Sequence, residues 1–170
     1  MRKLLFLSAS LLISFITFSQ SNGLASDTSA YIRKGVIPSF TVYKAPDSTV
    51  FTNNNVQKRK PLLLMLFSPD CGHCQEIAKE VIKNINSFKK ARILMITWLP
   101  YSEMMAFYKT YKIADYSQIT LAWDPKYFFV PYYHVSTYPK LIVYNKNGKF
   151  TKEFQGNIHM EEVWKAVNGK

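Results

Sequence analysis

Cys71 and Cys74 are the only cysteines in a chain of 170 residues, and only Gly72 and His73 separate them. Two thiols at this spacing, on the first turn of a helix, can close a small and reversible disulfide. Such a bridge staples almost nothing, because closing so short a loop removes little entropy from the unfolded chain. The spacing therefore points to thiol–disulfide exchange, in which a thiolate attacks a disulfide sulfur. That chemistry needs elements that hold the two thiols one helical turn apart.

The flanking sequence supplies those elements. Leu62–Phe67 is a continuous apolar run between Pro61 and Pro69, without alternation, and predicts a strand buried on both faces. A helix is predicted from about Cys71 to Phe88. Its apolar residues, Ile77, Ala78, Val81, Ile82, Ile85 and Phe88, share one face, with Glu76, Lys79, Glu80 and Lys83 on the other. Ile93–Ile96 is the next buried strand, so the unit is strand–helix–strand with parallel strands and a right-handed crossover. Pro100–Glu103 opens a second helix with Ser102 as its N-cap, and Met104, Met105, Tyr108 and Tyr111 repeat at helical spacing toward the core. Ile119, Leu121 and Trp123 alternate as a short strand that Asp124–Pro125 ends.

The outer parts read less sharply. Phe40, Val42 and Tyr43 form a strand whose partner, Thr49–Thr52, returns after the turn signal Pro46–Asp47–Ser48. Tyr127–Tyr138 is dense in aromatic residues, which fits packing under a loop or an apolar rim beside the dithiol. Leu141–Tyr144 and Lys149–Phe154 are strands joined by Asn145–Gly148, where Asn and Gly supply positive φ. Gly156 and Asn157 open a last helix carrying Val163, Trp164 and Val167.

Arg2 and Lys3 precede an apolar stretch, Leu4–Phe18, followed by small and polar residues, in the layout of a secretory signal peptide. Cleavage after Ser19 or after Ala25 would leave small residues where they are needed. The apolar stretch is about 15 residues, short of the roughly 20 that span a bilayer, so a retained anchor is the lesser alternative. This divides the chain into a signal peptide at 1–20 (cut as late as 25), a spacer at 21–35 and one domain at 36–170. Export to the periplasm or cell envelope matters for the cysteines, because disulfides form and persist in oxidising compartments. Hydrophobic residues make up 48% of the chain, enough for a core without structural disulfides. The net charge of +11 is spread along the sequence. It reads first as a solvated basic surface, and second as attraction to an anionic membrane surface or an acidic partner. No nucleic-acid motif stands out.

The order of these elements resembles the thioredoxin fold, and within it the exported TlpA/ResA-like branch. The residues that carry the resemblance are Lys60–Pro61 through Phe67, the Cys71-Gly72-His73-Cys74 motif, and Thr137-Tyr138-Pro139 ahead of the Leu141–Gly148 strand and turn. The N-terminal hairpin and the extra strand and helix before Trp123–Asp124 are similar to that branch, and the likeness covers about residues 36–168. It implies a thioredoxin-like α/β fold, a central mixed β-sheet flanked by helices, with an N-terminal β-hairpin and a central strand–helix insert.

The resemblance also implies roles. Cys71 would be the attacking thiol, helped by the helix N-terminus, and Cys74 would resolve the mixed disulfide. Gly72 would keep the backbone open to a client, and a protonated His73 would favour the thiolate. Pro139 would be a cis-proline facing the dithiol, and the Tyr138 backbone would pair with an extended client. Two positions depart from the family. Asp70 stands where an aromatic residue is usual; it could cap the helix, and it would oppose a thiolate at Cys71. Met65 stands where many thioredoxins keep a buried acid, so Glu76, Glu80 or water would have to carry the proton.

The implied activity is a cell-envelope thiol–disulfide oxidoreductase acting on cysteine pairs of exported proteins, without a cofactor. The branch favours the reductase direction, fed by a membrane-embedded electron donor. The Cys-Gly-His-Cys motif, shared with protein disulfide isomerases, argues for a more oxidising couple, so an oxidase or isomerase is the alternative. A peroxidase is disfavoured, since Pro69 is not followed by the required threonine. A non-catalytic client-binding module is the alternative of another class. A zinc site from Cys71 and Cys74 with His134 or His159 has no supporting spacing.

Overall fold

The computed structural model describes residues 30–169. The signal peptide at 1–20 and most of the 21–35 spacer lie outside the described residues. The described chain runs α1 (Ala30–Lys34), β1 (Thr41–Lys44), β2 (Thr49–Thr52), β3 (Leu62–Leu66), α2 (Gly72–Lys83), β4 (Arg92–Thr97), α3 (Tyr101–Thr110), β5 (Ile119–Trp123), α4 (Phe129–Tyr132), β6 (Lys140–Tyr144), β7 (Phe150–Gln155) and α5 (Met160–Asn168). The seven strands form one mixed sheet in the order β2-β1-β5-β4-β3-β6-β7. β3, β4 and β5 are mutually parallel, and β6 runs antiparallel beside β3. The predicted architecture is therefore present, including the N-terminal hairpin of β1 and β2 and the α3–β5 insert.

Every residue of β3 is buried, because its alternate side chains enter two different cores. Leu63, Met65 and Phe67 face α2, α3 and α5, together with Cys74, Ala78, Val81, Phe107 and Val163. Leu62, Leu64 and Leu66 face the opposite side, where Tyr31, Phe40, Phe129 and Tyr133 cover the sheet. A strand covered on both faces needs no alternation, which is why its sequence is a plain apolar run.

Several boundaries differ from expectation. The first long helix stops at Lys83 rather than running to Phe88. Asn84 leaves helical geometry at φ −107° and turns its side chain back to donate to the Glu80 carbonyl at 2.8 Å, and a short 3₁₀ turn over Ile85–Phe88 follows. Ser102 is not the N-cap of α3. Pro100 holds that place, so Ser102 lies inside the first turn. The core-facing stripe of α3 centres on Met104 and Phe107, with Met105, Tyr108 and Tyr111 half-buried beside it. In the Asn145–Gly148 turn only Gly148 has positive φ, +71°. Asn145 acts instead through its side-chain oxygen, which accepts from the backbone N–H groups of Asn147 and Lys149. The last helix begins at Met160, past Gly156 and Asn157. The end of the stretch read as spacer is α1, whose Tyr31 is 1% exposed and belongs to the second core.

Candidate active site

β3 and β4 are parallel, so both strands end at the same edge of the sheet. β3 leads through Phe67–Asp70 into α2 at that edge, and β6 starts there, with Lys140 paired to Leu66. The two segments singled out in the sequence, Cys71–Cys74 and Thr137–Pro139, are thereby brought together from opposite ends of neighbouring strands.

Cys71 adopts an extended conformation, φ −81° and ψ 117°, and is itself the N-cap of α2. Its sulfur accepts a hydrogen bond from the Cys74 N–H at 3.3 Å. On its other side the Cys71 thiol lies 3.9 Å from the Tyr138 carbonyl oxygen, to which it can donate weakly. The Tyr138–Pro139 peptide bond is cis and Pro139 is buried. A second cis bond, Ala45–Pro46, lies in the β1–β2 turn and carried no signal in the sequence beyond the turn itself.

The two thiols are free and differ sharply in access. Cys71 is half-buried, whereas Cys74 is 0% exposed inside the core on the α2 side of the sheet. Burial pushes the Cys74 thiol far above its ordinary value of 9.0, and its hydrogen bond with Cys71 adds to the shift. One sulfur can thus be reached and is held by a helix-terminal N–H. The other is kept protonated until an attack brings its neighbour to it.

The remaining predicted positions divide. Gly72 is exposed, and a Cβ built there meets nothing within 4 Å, so the fold itself does not demand glycine; the space belongs to whatever approaches from solvent. His73 is exposed beside it. Asp70 does not cap α2, since Cys71 takes that role; its carboxylate instead accepts from the Ser68 hydroxyl. Met65 lies in the same core as Cys74. Glu76 and Glu80, considered as proton carriers, are turned to solvent and paired with Lys79 and Lys83. Neither carboxylate is directed into the core that holds Cys74, because both occupy the polar face of α2.

The aromatic segment divides between the core and the surface. Phe129 and Tyr133 are buried packing residues. Tyr138 and Tyr127, by contrast, join Trp98 in a surface beside the dithiol: the Trp98 indole donates to the Tyr138 hydroxyl at 2.9 Å, and the Trp98 and Tyr127 rings meet edge to face at 5.1 Å. Trp98 and Tyr127 are 40% and 46% exposed. Tyr127 continues into an open cavity of about 830 Å³ lined by Phe40, Lys126, Phe128 and Tyr132. Trp98 escaped the sequence reading, although a tryptophan directly after a buried parallel strand falls at the edge where the dithiol must be.

Lys140 is a second residue that sequence reasoning missed. It follows Pro139 directly, and its side chain is 4% exposed. Its ammonium donates to the Tyr133 carbonyl at 2.8 Å and to the Tyr31 hydroxyl at 3.2 Å, and pairs with Glu153 at 3.2 Å. Tyr31 also donates to Glu153. The network ties α1, β6 and β7 together behind the proline.

Residues 52–169 match the family model of a thioredoxin-like domain. Over 91 residues, 51% of this chain, the sequence is 34% identical to a probable protein disulfide-isomerase A6 of Medicago sativa. The chain spans only about a quarter of the length of the curated relatives it matches. Among solved structures, a secreted disulfide oxidoreductase of Mycobacterium tuberculosis superposes with a TM-score of 0.64 at 17% identity, over 77% of this chain and 96% of that one. StoA of Bacillus subtilis gives 0.60 at 14%, over 78% and 98%. These structural likenesses concern the fold. With the family model covering well over half of the sequence, the chain belongs to the thioredoxin-like domain family.

Proposed function

We propose that this protein is a thiol–disulfide oxidoreductase of the cell envelope, acting on cysteine pairs of exported proteins through Cys71 and Cys74. The observation that carries the reading is the asymmetry of the two thiols: Cys71 is reachable and hydrogen-bonded by a helix-terminal N–H, and Cys74 is enclosed and protonated one turn away.

The step follows from that asymmetry. The Cys71 thiolate attacks one sulfur of a client disulfide, the client S–S bond breaks, and a client thiolate leaves. Cys74 then attacks the Cys71 sulfur of the mixed disulfide, giving its proton to the departing thiolate or to solvent. With protons balanced by solvent water, the client gains two electrons and two thiols, and the pair Cys71–Cys74 closes as a disulfide. The Tyr138 carbonyl beside Cys71 suits pairing with an extended client backbone, and the Trp98–Tyr127–Tyr138 surface suits its apolar side chains. The apolar N-terminal segment Leu4–Phe18 supports export, and a membrane-embedded donor would return the dithiol to its reduced form in the reductase direction.

An isomerase or oxidase is the second reading. It is favoured by the Cys74 N–H bond to the Cys71 sulfur, which stabilises the reduced form and so makes the couple more oxidising, and by the protein disulfide isomerase names of the relatives. The two are separated by assaying one preparation on two substrates: a native protein disulfide with a thiol reductant, and a protein with scrambled disulfides in a glutathione buffer. Faster reduction than reshuffling supports the reductase; the reverse order favours the isomerase, and inactivity on both contradicts the proposal.

A further inference from the structure

The lysines that are scattered through the sequence are gathered by the fold. Leu62 of β3, Arg92 of β4 and Tyr144 of β6 are level with one another in the sheet. The chain entering β3, the chain entering β4 and the turn leaving β6 therefore project from one pole. Those three connections, residues 53–61, 84–91 and 145–149, carry Lys58, Arg59, Lys60, Lys89, Lys90, Lys146 and Lys149, and contain no aspartate or glutamate. Six of these seven are exposed and Lys60 is half-buried. None has a carboxylate partner among the described residues, whereas Lys79 and Lys152, elsewhere on the surface, are paired, as is Lys165, which with its partner Glu161 lines a cavity beside Lys89 and Lys90. The connection before β5 adds Lys112 and Asp115, which cancel. Arg59, Lys90 and Lys146, one from each connection, line a single open cavity of about 550 Å³. The dithiol lies beyond Leu66, at the far end of the same strands.

We propose that this basic pole is a docking surface for an anionic phospholipid membrane, which holds the protein with Cys71 facing away from the bilayer. Unpaired cations gathered at one end of a domain are drawn to an anionic lipid surface within a Debye length. The apolar segment Leu4–Phe18 places the chain at a membrane during its life, which favours lipid over nucleic acid as the polyanion. The docking is independent of the exchange chemistry.

The test is co-sedimentation of the protein, recovered from the envelope of an expressing cell, with phosphatidylglycerol-containing vesicles and with neutral phosphatidylcholine vesicles. The quantity read is the extra binding to the anionic vesicles, to which a retained apolar segment contributes equally on both. Lys58→Glu/Lys90→Glu/Lys146→Glu should lower that extra affinity at least 100-fold, since each cation contributes on the order of five-fold. Lys79→Glu/Lys126→Glu/Lys152→Glu, the same charge change elsewhere, should lower it far less. Exchange activity, unchanged in the first triple variant, shows that it is folded. Equal losses in both variants, no excess binding to anionic vesicles, or tighter binding to duplex DNA than to the vesicles at the same salt would each overturn the proposal.

Discussion

The backbone N–H of Cys74 points at the sulfur of Cys71 from 3.3 Å, so the second cysteine of the motif stabilises the first before any disulfide forms. The two thiols are therefore unequal by construction. Iodoacetamide at neutral pH should carboxamidomethylate Cys71 and leave Cys74 untouched, because Cys74 is fully buried and its thiol is held protonated. Peptide mass mapping checks this. Equal labelling of both residues in the native protein would contradict the assigned order of attack.

Trapping should follow the same order. Cys74→Ser removes the resolving thiol, so mixed disulfides through Cys71 should accumulate with client proteins in the envelope. Cys71→Ser should give none, since the remaining sulfur is enclosed. Diagonal non-reducing electrophoresis reads both, and adducts through Cys74 in the Cys71→Ser variant would reverse the roles.

Burial of Cys74 also sets a pH dependence for the reduced protein. Its folded value is raised above the ordinary 9.0 of the unfolded chain, so below about pH 9 both states hold the proton and the thiol contributes no slope. Above pH 9 the unfolded state releases the proton and the folded state does not, so stability falls as pH rises. Urea unfolding between pH 8 and 10.5 should show this loss in the reduced parent and a smaller one in reduced Cys74→Ser. Identical slopes would mean that Cys74 is not enclosed.

The aromatic surface beside the dithiol should matter only to protein clients. Trp98→Ala or Tyr127→Ala removes an exposed ring without opening the core. Each should raise KM for a disulfide-bonded protein several-fold with kcat little changed, and leave turnover of a small-molecule disulfide as in the parent. Parallel losses on both substrates would move these residues from client binding to support of the dithiol.

Lys140 is buried, whereas its partner Glu153 is 35% exposed. Glu153→Leu leaves the Lys140 ammonium, 4% exposed, with only the Tyr133 carbonyl and the Tyr31 hydroxyl, and should cost about 2 kcal/mol. Lys140→Met/Glu153→Leu should recover at least half of that. Chemical denaturation of the three variants closes the cycle, and additive losses would show that the pair is not coupled.

Much of this site was legible in the sequence because strong periodic signals bracket it. The unbroken run Leu62–Phe67, bounded by Pro61 and Pro69, read as a doubly buried strand, which put the thiols that follow it at the strand's end. Tyr138–Pro139 was placed beside the dithiol only by the resemblance to the thioredoxin fold. What escaped depended on tertiary partners. Lys140 reads as a surface residue until Tyr31, Tyr133 and Glu153 surround it. Tyr31 lies beside Ile32 in a stretch read as a spacer, and only the sheet's second face gives it a core to enter. Asn84 and Pro100 moved helix ends by local hydrogen bonding and fixed φ, which an apolar stripe cannot register. The basic pole is invisible in linear order because three connections contribute to it from different parts of the chain.

The central claim, that Cys71 and Cys74 form a reversible redox couple, is tested most directly by titrating the protein against glutathione buffers of graded potential and counting free thiols. The account predicts one reversible two-electron transition, lost in Cys71→Ser and Cys74→Ser, at a potential between about −270 and −180 mV, the range from thioredoxin to protein disulfide isomerase. A pair that stays reduced throughout, or one that is reduced only below about −300 mV as a structural disulfide is, would contradict it.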